Sequence, residues 1–194
     1  MPIKAHIIDP KIIDGCKKKD KKSQEILFRT LYGTLLRTCM IYASNRADAE
    51  DYLQNGFIQI FKNIHKYSGL GNFEGWARKT VRNLVITELR KKNVLSFYNV
   101  EEIGEYDKED MSDDGLLMAY KGISAKKIIN TIQHLPPSYR IVFNLRVVDE
   151  MTHKEIAEFL KISENTSKTN YRRAKLWLLK KIGYGEVNRI YSEN

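Results

Sequence analysis

Apolar residues recur at helical spacing in three stretches of the chain. Between residues 47 and 64, Leu53, Phe57, Ile60, Phe61 and Ile64 fall three or four apart, which predicts an amphipathic helix with those side chains inward. Its outer face carries Asp48, Asp51, Gln54 and Asn55, with Ile58 among them. A second helix is expected from Asn72, a suitable N-cap, to about residue 92. Phe73, Ala77, Thr80, Val81 and Leu84 face inward, while Arg78, Lys79, Arg82, Asn83 and Arg90 lie on or beside the outer face. The third stretch opens with Thr152 and Glu155, a capping box, followed by the apolar face Ile156, Ala157, Phe159 and Leu160. Lys161, Ile162 and Ser163 then form a turn, with Ser163 placed to cap another helix. That helix turns Ser167, Tyr171, Ala174 and Leu178 inward and Asn165, Lys168, Thr169, Arg172 and Arg173 outward.

Strand signals are scarce, with no Asn-Gly or Asp-Gly hairpin between apolar runs, and no repeat of 20–50 residues is present. The expected fold is all-α: two small helical domains, residues 1–93 and 122–194, joined by a linker over 94–121. Short loops at residues 67–71 and at Leu135-Pro136-Pro137 suit helical bundles.

Charge sharpens this division. The 194 residues carry 33 Lys and Arg against 24 Asp and Glu, a formal +9 that favours a polyanionic partner. Residues 101–114 hold eight acids and one base, a window of −7 that leaves +16 on the remainder. With no core-facing stripe, that window reads as a flexible acidic linker, or simply as a solubilising spacer. The apolar runs, such as residues 140–148, are far short of the ~20 residues of a membrane span. The start, MPIKAHIIDP, has only Ile7-Ile8 where a secretory signal needs a longer apolar stretch, and Cys16 and Cys39 make no disulfide framework. A cytoplasmic protein with no membrane insertion is expected.

The faces indicate partners. A helix presenting amides, hydroxyls and guanidinium groups after a three-residue turn can enter a DNA major groove, although a solvated basic helix carries the same pattern. The acidic face with Ile58 on so basic a chain suits a protein partner, although one exposed isoleucine is ordinary. A basic helix behind the glycine-loosened loop Lys66-Tyr67-Ser68-Gly69-Leu70-Gly71-Asn72-Phe73 suits a single nucleic-acid strand. Trp76 can stack on a base, but its spacing is also that of a core residue.

Enzymatic patterns do not close. Gly69, Gly71 and Gly75 are spaced one residue too long for a dinucleotide fingerprint and follow a helix rather than a strand. Asp110, Ser112, Asp114 and Gly115 resemble a calcium loop, but Lys121 stands where the bidentate Glu belongs. His6, His65, His134 and His153 lack metal-ligand spacing. No catalytic residue, metal or cofactor is expected.

The segments IIDGCKKKDKKSQEILFRTLYGTLLRTCMIYA, AEDYLQNGFIQIFKNI, FEGWARKTVRNLVITELRKK and LPPSYRIVFNLRVVDEMTHKEIAEFLKISENTSKTNYRRAKLWLLKKI, in this order and spacing, resemble the extracytoplasmic-function sigma factors. These are the small two-domain promoter-specificity subunits of bacterial RNA polymerase. The resemblance implies that Asp48, Asp51, Gln54, Asn55 and Ile58 dock on the β′ clamp helices of core polymerase. It implies that Tyr67, Phe73, Arg78, Lys79, Arg82, Asn83 and Arg90 melt the −10 element and capture flipped bases. Asn165, Lys168, Thr169, Arg172 and Arg173 would read the −35 element. The acidic linker would thread the polymerase's RNA path, and the β subunit and an anti-sigma factor are further implied partners. Three residues depart from the family pattern: Thr87 for a usual Asp, Ser167 for a β-branched apolar residue, and Asn170 for a common basic one. The rival reading is a stand-alone helix-turn-helix regulator, which would bind paired half-sites without polymerase.

Overall fold

The computed structural model describes residues 8–91 and 123–182, so the acidic window and the linker lie outside the described residues. Among the described residues there are eight α-helices and no strand, the all-helical fold expected from the periodicity. The chain divides into two compact units, Met1–Lys92 and Asn93–Asn194.

In the first unit, α1 (Pro10–Lys17) begins with Pro at N1 and with the Asp9 carboxylate accepting from the Lys11 amide at 2.9 Å. The left-handed Lys19 (φ 62°) turns the chain into α2 (Lys21–Tyr42). Asp20 caps that helix, accepting from the hydroxyl of Ser23 at 2.6 Å and from its amide at 2.8 Å. These two bonds hold the Asp20 carboxyl below its ordinary range. Only glycine fits at position 15, because a Cβ there would stand 2.1 Å from the Ser23 hydroxyl. Next come α3 (Arg46–Asn63), capped by Asn45, a 3₁₀ turn (Ile64–Lys66), and α4 (Phe73–Lys91).

The core is the shared interior of α2, α3 and α4. Leu27, Leu31, Leu35, Cys39 and Tyr42 meet Leu53, Phe57 and Ile60 from α3 and Ala77, Val81, Val85, Ile86 and Leu89 from α4. Each large aliphatic side chain so buried contributes about 1.5–3 kcal/mol relative to exposure. The free thiols of Cys16 and Cys39 are buried too; desolvation, aided at Cys16 by the charge of Asp20, pushes them up to about 11 and about 12 respectively.

Helix α4 packs against both α2 and α3, and this widens its buried face beyond the expected stripe. Glu74 and Arg82 are buried along with Val85, Ile86 and Leu89, whereas Thr80 and Leu84 are only half-buried. The placement of Arg82 on or beside the outer face is therefore corrected: it is 7% exposed, on a helix that packs against two others.

In the second unit, α5 (Ala125–Gln133) is capped by Ser124, and α6 (Pro137–Val147) starts at the Pro136-Pro137 pair. Residues 138–145 of α6 are all buried. It is the unit's central helix, packed against α7 (His153–Leu160) and α8 (Glu164–Ile182). One side chain in this run is a buried arginine. The Arg140 guanidinium donates to the Gln133 carbonyl at 2.5 Å, placing its charge at the C-terminal end of α5, where exposed carbonyls favour a cation. Among the described residues no helix is long and apolar enough to cross a membrane.

Where α3 crosses α4, a Cβ on Gly56 would stand 2.8 Å from a methyl of Val81. Gly56→Ala gains helix propensity of up to about 1 kcal/mol but overpacks a stiff β-branched neighbour, a penalty of about 1–3 kcal/mol. We expect a lower melting temperature for Gly56→Ala, and a smaller effect of the same change in a Val81→Ala background. Equal effects in the two backgrounds would show that the contact does not limit the crossing.

Candidate functional site

The turn between α7 and α8 is built from local signals. Glu155 accepts from the Thr152 amide at 2.7 Å and from its hydroxyl at 2.8 Å, and the Thr152 hydroxyl accepts from the Glu155 amide at 3.2 Å. This is the expected capping box. Helix α7 ends on Lys161 in the left-handed region (φ 58°), with the Ile162 amide returning to the Ala157 carbonyl at 3.0 Å. Ser163 then caps α8, accepting from the Thr166 amide at 2.9 Å.

The two faces of α8 separate as the periodicity requires. Ser167, Tyr171, Ala174 and Leu178 are all buried, whereas Asn165, Lys168, Thr169 and Arg172 are exposed and Arg173 is half-buried. Ser167, a departure from the family pattern, pairs with the His153 ring: Nδ1 lies 2.9 Å from the serine hydroxyl oxygen. A polar bond thus ties the start of α7 to α8 where an apolar residue would only pack. The same ring lies 5.6 Å from that of Tyr171, which stacks on Phe143. Lys168 pairs with Glu164 at 2.8 Å, and the lysine's bond and charge lower the Glu164 carboxyl below its ordinary range. Asn170 is buried, its amide donating to the Thr166 carbonyl at 2.8 Å, so it does not belong to the outward face.

The loop before α4 is pinned by the Tyr67 hydroxyl, which donates to the Gly71 carbonyl at 2.7 Å. Gly69 (φ 84°) and Gly71 (φ 77°) hold left-handed backbone. Tyr67, Phe73 and Trp76 form an aromatic cluster with centroids 5.0–5.8 Å apart, Tyr67 and Phe73 buried and Trp76 half-buried. Asn72 caps α4 as expected, accepting from the Glu74 amide at 2.9 Å.

This loop walls one side of a cleft of about 570 Å³, within the range of small-molecule sites. Tyr67, Ser68, Gly69, Gly71, Asn72 and Phe73 line it from the loop, while Ile13, Asp14 and Lys17 line it from α1. Tyr67 and Phe73 are therefore wall residues of the cleft, held by their packing, rather than free side chains. On α4, Lys79 and Asn83 are exposed, Arg78 and Arg90 half-buried. The buried Arg82 donates twice to the Asn83 side-chain oxygen, each at 3.2 Å. Thr87 donates back to the Asn83 carbonyl at 2.8 Å.

On α3, Asp51, Gln54, Asn55 and Ile58 are exposed together, Ile58 at 56%. Asp48 is half-buried in the cap, its amide donating to the Asn45 side-chain oxygen and its carboxylate accepting from the Asn45 amide group. Sequence reasoning missed an aromatic edge beside this face. Phe28 and Tyr32 of α2 are 40% and 38% exposed, and Phe28 lies 4.5 Å from Phe57, which in turn stacks on Phe61.

Two family profiles match the chain: Sigma-70 region 2 over residues 27–94, and Sigma-70, region 4 over residues 125–178. The ECF RNA polymerase sigma factor SigW of Bacillus subtilis is 30% identical over 179 residues, spanning 89% of this chain and 95% of that protein. SigX of the same organism is 23% identical over 77% of this chain and 78% of its own length. The sigma-E factor of Escherichia coli is 22% identical over 87% of this chain and 91% of its own length. This chain belongs to the extracytoplasmic-function sigma factors. Sigma factors of this family are non-enzymatic, DNA-binding subunits that act with core RNA polymerase at promoters in transcription initiation.

Within this sigma factor the region 4 match contains α5, α6, α7 and all but the end of α8. The region 2 match begins at Leu27, so α1, which supplies a wall of the cleft, stands outside it. No periodicity along the sequence could have joined α1 to the loop, because the contact follows from the fold of the whole unit.

The capping box makes a prediction. Thr152→Ala should cost about 1 kcal/mol of stability. The Thr152 amide and hydroxyl hold the Glu155 carboxyl below its ordinary range. Its stabilising effect is therefore present above the unfolded glutamate pKa and is lost as pH falls through the lower folded value. Melting curves across an acid series should show a shallower decline for Glu155→Gln than for the parent; identical slopes would remove the box from the account.

Proposed function

We propose that this sigma factor uses three surfaces in promoter opening. The outward face of α8, with Asn165, Lys168, Thr169, Arg172 and Arg173, reads the −35 element in the major groove. The guanidinium groups suit guanine edges; the lysine, amide and hydroxyl groups suit phosphates or other base edges. The cleft beside the Tyr67–Phe73 loop takes an extruded base of the −10 element. Arg78, Lys79, Asn83 and Arg90 follow the strand's backbone, while Tyr67, Phe73 and Arg82 shape the support behind them. The α3 face of Asp51, Gln54, Asn55 and Ile58, with Asp48 at its cap, docks on the β′ clamp helices of core polymerase.

Residues 1–93 and 122–194 act as the two functional domains in this reading. The acidic 94–121 segment occupies the polymerase's RNA path, where its charge imitates a nucleic acid. The second domain also meets the β subunit, and an anti-sigma factor covers these surfaces when the protein is held inactive. The complex works in the cytoplasm, where the polymerase acts.

The observation that supports this reading best is the separation of faces on α8: four inward residues buried, and a row of polar and basic residues outward directly after a capped turn. The test is transcription from genomic promoter fragments by purified core polymerase. Transcripts from a defined promoter set should appear only when this protein is added. Gln54→Ala with Ile58→Ala should lower both the transcript yield and the retention of polymerase, without changing the melting temperature. Normal retention by the double variant would discredit the docking face. Operator binding of equal strength without polymerase would favour the stand-alone regulator.

A second measurement addresses the −35 contacts. If Arg173 reads a base edge, Arg173→Ala should cost about 1–3 kcal/mol at one promoter position and little at the others. Uniform weakening across all sequences would make it a phosphate contact instead.

A further inference from the structure

The chain turns from α1 into α2 on a run of lysines. Lys17, Lys18, Lys19, Lys21 and Lys22 are all exposed, with Asp20 the one acid among them. Asp20 commits an oxygen of its carboxylate to the hydroxyl and amide of Ser23, at 2.6 and 2.8 Å. None of the five ammonium groups forms an ion pair among the described residues. The backbone beneath them is tied down. The Lys18 amide donates to the Asp14 carbonyl at 3.1 Å, and the Lys19 and Asp20 amides donate to the Cys16 and Gly15 carbonyls, each at 3.0 Å. Lysines on a loose chain would drift apart to relieve their repulsion; these are held within one turn.

A run of like charge is ordinarily solvated surface and no more. This one begins in the wall of the cleft. Lys17 lines the cleft from α1, and Lys66, exposed on the 3₁₀ turn that packs against α1, adds to the charge. The cleft wall also holds Asp14, whose carboxylate repels phosphate, so a strand that lodges a base there keeps its backbone outside. On the loop side that backbone meets Arg78 and Lys79 of α4. On the α1 side it meets the lysines of the turn. The direction follows from the DNA: upstream of the −10 element the duplex stays paired toward the −35 element, and the unpaired strand continues downstream.

We propose that the lysine turn 17–22 holds the phosphates of the unpaired strand just downstream of the −10 element, a second backbone grip across the cleft from α4. This rests on the reading of the cleft and α4 as the −10 grip. The lysines read no bases. Each phosphate they neutralise releases condensed cations, so their contribution grows as salt falls.

The test uses the full chain with core polymerase on a promoter found by the transcription assay, premelted by mismatches across the −10 element. The unpaired strand either stops at the end of the element or continues several nucleotides downstream. Lys18→Gln with Lys21→Gln and Lys22→Gln should bind the short template as the parent does and lose affinity for the long one. On the long template its slope of log affinity against log salt should become shallower by about 0.7 for each phosphate contact removed. Arginine at the same three positions should restore parental binding, and both variants should keep the parental melting temperature and polymerase retention. The double change Arg78→Ala with Lys79→Ala should weaken binding to both templates and so reports on the grip itself. If the glutamine variant matches the parent on the long template while the double change is impaired, the turn is solvated surface and the proposal is overturned, with the grip left standing. If the double change has no effect on either template, the grip falls and the lysine turn's role with it. Equal weakening of both templates by the glutamine variant would be a diffuse charge effect, and loss of polymerase retention would assign the turn to a protein contact; either result overturns the proposal.

Discussion

The contact between Gly56 and Val81 governs the first unit. A helix pair can approach this closely only where one partner lacks a Cβ, and the approach fixes α3 and α4 as one packed body. Their outer faces carry different chemistry, acidic with an isoleucine on α3 and basic on α4. Each can keep its character because the inner faces are committed to the same core. Both outer faces therefore rest on one rigid support. The wide burial of α4 follows from the same packing: flanked by two helices, it has only a narrow strip left exposed.

The second unit adds buried polar bonds between helices to its apolar core. Arg140 spans from α6 to the carbonyl end of α5, and the His153 ring meets the Ser167 hydroxyl between α7 and α8. Such bonds add little net stability but exclude arrangements in which they would be broken, since a buried polar group left unmatched is costly. This selectivity of arrangement fixes the orientation of α8, because a small rotation would change which of Asn165, Lys168 and Thr169 face outward.

Most of the fold could be read along the chain, and the reasons are local. Capping boxes, N-cap residues and a period of 3.6 act within a few residues, so α7, its turn and the division of α8 into faces all followed from Thr152, Glu155, Ser163 and the spacing of Tyr171, Ala174 and Leu178. What escaped depends on neighbours distant in sequence. Arg82 is buried on a helix flanked by two others, and Phe28 and Tyr32 acquire meaning only beside Phe57 and Phe61. Asn170, which stands where the family pattern has a basic residue, is buried with its amide bonded to the Thr166 carbonyl. The cleft escaped for the same reason, since one wall is α1 and the other a loop some fifty residues on. Family resemblance supplied roles for many of these residues, but not their burial.

The two cysteines have a consequence of a different kind. A thiol attacks oxidants as its thiolate, and burial leaves both sulfurs protonated at neutral pH, with values of about 11 and about 12. These sulfurs are therefore poor redox sensors. If cells deploy this protein against oxidative stress, the alarm has to be sounded by another molecule.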